Sequence, residues 1–402
     1  MLTACESGGL SRARLGRMQE VLARHVAEGG VPGLVALVSR RGEIHVETVG
    51  RIAAGGAPMQ RDSIFRISSM TKPVTAAAAM ILVEECRLRL NDPVDRWLPE
   101  LADRKVLRAI ESDVGDTVPA ARAITLRDLL TFRLGLGMIP VFPQRYPIQM
   151  AMADAGFAPG PVFPSFPPDE LMRRYGTLPL AYQPGERWLY NTGSEILGVL
   201  IARVAGTSLA RFMQERIFAP LGMKDTAFHV PPLKRERFAT CYGRDHATGA
   251  LKVFDDPVDG NYATPPVFEN GSAGLVSTAD DFNAFAQMLL NGGRLGTERI
   301  LSRPSVELMT SDQLAPAHRQ GSELLLGGAL SWGFGLSVCT GRNDLCQVPG
   351  RYGWDGGYGT SWHSDPREEM TGILLTQRLL DAPQPPPVFT DFWTSAYQAI
   401  DD

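Results

Sequence analysis

The chain has 402 residues, 44% of them hydrophobic and 21% charged, which is enough apolar material for one large core or two smaller ones and excludes a disordered or fibrous chain. A net charge of −4 and an isoelectric point near 5.9 exert no general pull toward phosphate backbones or anionic membranes, so nucleic acid is not an expected partner. The apolar run Ala76 to Val83 is far shorter than the roughly 18 to 20 residues that cross a bilayer, so no membrane span is expected.

The N-terminus lacks a basic region followed by an apolar stretch, the pattern of a secretory signal. Leu2-Thr3-Ala4-Cys5 has the small-residue look of a lipoprotein cleavage box. A cytoplasmic location is the expectation, and a periplasmic or lipid-anchored one the alternative if a longer precursor exists upstream of Cys5. Leu15, Met18, Leu22 and Val26 recur at helical spacing and predict an amphipathic first helix that Gly29-Gly30 ends. Gly33 to Ser39 is apolar and β-prone, Arg40 to Glu43 supplies a turn, and Ile44 to Val49 alternates, so a hairpin follows. From about Ser69 to Cys86 the chain predicts a long helix, apolar nearly all round and therefore central.

Between Asp92 and about Pro266 short helical segments alternate with Pro- and Gly-rich loops, including the stretch from Pro140 to Pro168. Ala279 to Leu290 is helical, Trp332 to Cys339 strand-like, and Tyr358 to His363 with Met370 to Thr376 forms a second hairpin. Strands at both ends with helices between predict an α/β (α+β) fold. Residues 9–91 and 267–400 form its sheet domain, and residues 92–266 an inserted, mainly helical domain.

The five cysteines, Cys5, Cys86, Cys241, Cys339 and Cys346, are scattered without metal-ligand spacing, and reduced thiols are expected. Only Cys339 and Cys346 lie close enough along the chain to pair across a turn. The six histidines, His25, His45, His229, His246, His318 and His363, show no metal spacing and give no local support to a Ser-His-Asp triad. His363 is read as a solvated strand residue near the site. No metal and no cofactor is called for. Gly206-Thr207-Ser208-Leu209-Ala210 comes nearest to a nucleophile elbow but follows a helix, so Ser208 is read as an N-cap.

Ser69-Met70-Thr71-Lys72 is the motif that points to chemistry. A serine hydroxyl needs a nearby base, and residues three apart on a helix share a face, so Lys72 reaches Ser69. Pro73 suits a first helical turn, where the positive dipole end disfavours an ammonium and lowers the lysine pKa. By itself the four-residue pattern is common, with the serine serving only as a cap.

Its surroundings decide. Phe65-Arg66-Ile67-Ser68-Ser69-Met70-Thr71-Lys72-Pro73 resembles the nucleophile signature of class C β-lactamases, penicillin-binding proteins and family VIII carboxylesterases. The resemblance continues in order through Leu90 to Val94, Ile124 to Thr131, Gln183 to Tyr190, Pro220 to Met223 and Gly274 to Asp281. It implies a β-lactamase/transpeptidase-like fold, an antiparallel sheet flanked by helices. It also implies Tyr190 as a second general base, its phenol acidified by the Lys72 ammonium.

β-Lactamases follow that tyrosine with x-Asn, whereas here Asn191 and Thr192 follow it. Phe132 to Leu136 replaces a His-Thr-Ser-Gly-Leu stretch common in the family. Where β-lactamases carry Lys-Thr-Gly, this chain has Trp354-Asp355-Gly356-Gly357-Tyr358, similar to the Trp-Gly-Gly variant of family VIII esterases. An aromatic in place of a cation suits a neutral acyl or alcohol group, so a small-molecule ester is the implied substrate. Small residues at Gly356 and Gly357 let the backbone approach it, and the N–H groups of Ser69 and Gly357 are the implied oxyanion hole. The alternative for these glycines is a tight strand bend. Trp354, Tyr358 and the stretch from Pro140 to Pro168 are expected to line an apolar acyl pocket. Rival functions are a β-lactamase or D-amino-acid peptidase or amidase, an acyltransferase, and a non-catalytic sensor that acylates once.

Overall fold

The computed structural model describes residues 8–158, 160, 164–245 and 247–402. Cys5 with its cleavage-box residues, His246, and Pro159 and Pro161 to Phe163 of the proline-rich stretch lie outside the described residues. Both ends of the chain build one seven-stranded sheet. The strands are β1 (Gly33–Arg40), β2 (Glu43–Gly50), β3 (Leu330–Trp332), β4 (Ser337–Cys339), β5 (Tyr352–Gly356), β6 (Thr360–Asp365) and β7 (Met370–Thr376). Their order is β3-β4-β5-β6-β7-β1-β2, and every neighbouring pair is antiparallel.

β1 is buried along its whole length, which explains its unbroken apolar run: both faces of the sheet are covered. On one face α1 (Arg12–Ala27) contributes Leu15, Met18 and Leu22, which pack with Leu34, Ala36 and Val38 of β1 and with Phe389 and Phe392 of a C-terminal helix (Pro387–Gln398). On the other, Val35 and Leu37 join a larger core with Trp362 and Ile373, with α2 (Thr71–Glu84), and with a helix at Ala279–Leu290. α2 has Val74, Ala76 to Ala79 and Leu82 all at 0% exposure, the central position that its apolar circumference predicts. It packs on α3 (Thr192–Ala205), and Gly271 lies so close to the Ser194 carbonyl of α3 and to Thr75 of α2 that a Cβ there would clash.

Two expectations change. Trp332 to Cys339 is the hairpin of β3 and β4 rather than a single strand, closed by Gly333 N–H to Leu336 C=O at 2.9 Å. Gly335 turns with φ 71°, against the Lys72 carbonyl where a Cβ has no room, and that requirement breaks the strand. Between Asp92 and Pro266 two short ribbons interrupt the helices, Lys105–Leu107 with Thr117–Pro119 and Cys241–Arg244 with Leu251–Asp255. Ser208 caps the helix Leu209–Met213, its hydroxyl accepting the Arg211 N–H. Cys86, Cys241, Cys339 and Cys346 are free thiols. Among the described residues no single helix is long and apolar enough to cross a membrane.

Candidate active site

The backbone entering Ser69 is held from three sides. Phe65 and Arg66 pair with Ser277 and Val276, and Ile67 N–H donates to Leu275 C=O at 3.0 Å. The Thr360 hydroxyl of β6 donates to Ile67 C=O at 3.1 Å. Gly356 of β5 lies so close to that carbonyl and to the Thr360 hydroxyl that no side chain fits. Ser68 then takes φ 46°, a costly conformation for a residue with a Cβ, and Ser69 falls in a 3₁₀ turn (Ser68–Met70) ahead of α2. The long helix thus begins at Thr71, not at Ser69, and Lys72 is its second residue.

Lys72 is completely buried, with Nζ 2.9 Å from Ser69 Oγ and 2.9 Å from the Ser272 carbonyl. Burial pushes its pKa down to about 7, partly opposed by the Glu195 carboxylate. Desolvation, rather than the helix dipole that the sequence pointed to, therefore makes the amine near-neutral. The face of the Tyr190 ring lies 4.5 Å from Nζ.

Tyr190 arrives from the distant segment leading into α3. Leu189 N–H donates to Phe132 C=O at 2.8 Å, and the Tyr190 carbonyl accepts from Met138 at 2.8 Å and from Thr192 at 3.2 Å. The second of these closes a γ-turn around Asn191, with φ 81° and ψ −61°, a rare and strained geometry. The Asn191 amide donates to Glu195 Oε1 at 2.9 Å, and the Tyr175 hydroxyl donates to the other carboxylate oxygen. Tyr190 Oη donates to Ser69 Oγ at 2.9 Å and accepts the Trp354 indole N–H at 2.6 Å. Burial pushes the phenol up to about 12, with the bonds to Ser69 and Trp354 pulling the other way. This reverses the expected acidification: the site is dry enough that desolvation outweighs both hydrogen bonds.

Two cavities meet at Ser69, Tyr190 and Gly357. The first, about 370 Å³, is bordered by Met138, Ile139, Met152, Phe157, Tyr358 and Glu195. The second, about 470 Å³, is bordered by Leu325, Leu330, Arg351, Trp354, His363 and Trp393. Trp354 is thereby separated from the lobe it was expected to share with Tyr358 and the proline-rich stretch. It sits in an aromatic cluster with Phe132, Trp188 and Trp332, its N–H turned to Tyr190. His363 is buried rather than solvated, with Nε2 3.3 Å from Asp355 Oδ1, and burial pushes it down to about 4.

Glu195, Ser272 and Arg351 were not singled out from sequence. For Glu195 the available signal was its place one turn beyond Asn191; Ser272 and Arg351 carried none. Among the described residues no group of three or more His, Cys, Asp or Glu side chains is arranged to hold a metal ion.

The beta-lactamase family model matches residues 18–387. Protein Rv1367c of Mycobacterium tuberculosis is 38% identical over 371 residues, covering 89% of each chain. Esterase EstB of Burkholderia gladioli is 29% identical over 384 residues, covering 90% of this chain and 89% of its own. Among solved structures, EstCE1, described as a hydrolase with promiscuous acyltransferase activity, superposes with a TM-score of 0.79. That superposition covers 96% of this chain and 99% of the other at 23% identity, a likeness of fold.

Proposed function

We propose that this chain, which belongs to the beta-lactamase family and has its fold, is a serine carboxylesterase working through an acyl-enzyme on Ser69. The observation that carries the reading is one hydroxyl held 2.9 Å from a buried amine and 2.9 Å from a phenol, at the junction of two cavities. Neutral Lys72 takes the Ser69 proton as Oγ attacks the ester carbonyl, and the ammonium formed faces the Ser272 carbonyl and the Tyr190 ring. Tyr190, a phenol at neutral pH, gives its proton to the departing alkoxide, and the proton held on Lys72 restores it. Backbone N–H groups of Ser69 and Gly357 receive the oxyanion, an effect worth about 3 to 4 kcal/mol per donor. Water then enters, and the same pair runs the steps in reverse to release the acid.

The esterase among the relatives supports esters over lactams. The test is intact-mass detection of a phosphonyl adduct, with p-nitrophenyl butyrate and nitrocefin assayed in parallel. Wild type forms the adduct and turns over the ester, and Ser69→Ala does neither. An adduct in Ser69→Ala, or nitrocefin as the better substrate, overturns the reading. The second lobe at Ser69 also favours transfer to a bound alcohol, as a second reading. It predicts product partitioning toward a new ester when alcohol is added.

A further inference from the structure

Arg351, just ahead of β5, is 5% exposed and borders the second lobe. Its guanidinium lies 4.1 Å from the centre of the Trp393 ring, yet Nε and Nη2 are buried with no acceptor. A buried cation without a counter-charge is costly, and the carboxylates on the neighbouring strands are engaged elsewhere. Asp355 accepts from Ser361 Oγ at 2.5 Å and faces His363 at 3.3 Å. Asp365 accepts from the Tyr397 hydroxyl at 2.8 Å and from Arg367 N–H at 3.0 Å. The lobe also holds Ser69, Tyr190 and Gly357, so whatever neutralises Arg351 there is within a substrate's length of the reacting atoms.

We propose that this lobe is an anion subsite, and that the ester taken by the enzyme carries a carboxylate on the part seated there, received by Arg351. Glu323, Asp344 and Asp355 also border the lobe, and Arg351 is the one guanidinium among its lining residues, able to bind a single planar carboxylate through two parallel N–H bonds. This inference rests on the esterase reading and narrows it, replacing the neutral guest expected from Trp354 alone.

The test compares kcat/KM within two matched pairs. One is p-nitrophenyl hydrogen glutarate against p-nitrophenyl pentanoate, with the charge on the acyl side. The other is O-butyryl lactate against isopropyl butyrate, with the charge on the alcohol side. Wild type prefers the charged member of one pair. Arg351→Gln lowers that charged-to-neutral ratio about ten- to a hundredfold, as loss of a charge-assisted hydrogen bond predicts. An equal ratio in wild type and variant overturns the proposal.

Glutarate binding by calorimetry, on folded protein checked by thermal melting, decides independently of turnover. Binding that is lost in Arg351→Gln sustains the subsite even if no ester is hydrolysed. Absent or unaltered binding refutes it even if the enzyme is an esterase. Should Arg351→Gln not fold, Arg351→Lys keeps the charge without the planar fork and binds glutarate several-fold more weakly, and unchanged binding there also refutes the subsite.

Discussion

At the level of single residues, the chemistry turns on how dry the surroundings of Lys72 and Tyr190 are. With Lys72 pushed down to about 7 and required as the free amine, kcat/KM for a neutral ester falls as pH drops through about 7 and levels above it. A pH–rate profile read on the free enzyme checks this. An activity limb near 10, where an ordinary lysine titrates, would show that burial does not make the essential amine near-neutral.

Trp354→Phe keeps the aromatic packing with Trp332 but removes the 2.6 Å bond to Tyr190 Oη. The expected result is a five- to tenfold loss in kcat, about 1 kcal/mol of hydrogen bonding. Preference across acyl chain lengths stays as it was if the first lobe takes the acyl group, because Trp354 is not among the residues bordering that lobe. A chain-length shift in this variant would return Trp354 to the acyl pocket.

Ser69, Lys72 and Tyr190 were legible because each sits in a local run of residues with its own pattern. Glu195 and Arg351 were not, because their importance comes from burial beside groups far away in the chain. The direction of the Tyr190 shift was misread for the same reason: composition carries no information on local water.

Among the elements, the contact between the 3₁₀ turn and β5 sets the aim of the nucleophile. Gly356→Ala places a methyl group against the Ile67 carbonyl and the Thr360 hydroxyl, and one of these must move. We expect a loss of one to two orders of magnitude in kcat/KM with a lowered Tm, whereas Gly357, whose added Cβ meets only Ser68 Oγ at 3.8 Å, tolerates alanine in the fold. Comparing melting curves and rates for the two variants checks the distinction.

The first hairpin and α2 could be read directly, since a strand apolar from Leu34 to Val38 and a helix apolar nearly all round each leave one arrangement that buries them. The β3–β4 turn could not. Gly335 is there to clear the Lys72 carbonyl, a neighbour more than 250 residues away along the chain. Nor could the break at Ser69, since Ser68 at positive φ follows Ile67, whose backbone is held by Leu275 and Thr360 from distant segments.

For the molecule as a whole, distant segments are tied together behind the site. Arg66, three residues before Ser69, is buried against Asp255 in an ion pair and lies 3.9 Å from the centre of the Phe238 ring. Asp255→Ala leaves that guanidinium without its partner, and about 3 to 5 kcal/mol of stability is expected to go with it. Denaturant unfolding measures the loss, and a change under 1 kcal/mol would show that the pair contributes little.

The sheet order carries a further consequence for how the protein is made. β1 lies between β2 and β7, so it finds one neighbour at once and the other only after Met370 to Thr376, far along the chain, emerge. Until then, one edge of a strand that is apolar from Leu34 to Val38 has no partner. The growing polypeptide therefore presents a sticky ribbon to the cell, and yield in a host should follow the supply of chaperones more closely than the finished molecule's resistance to heat.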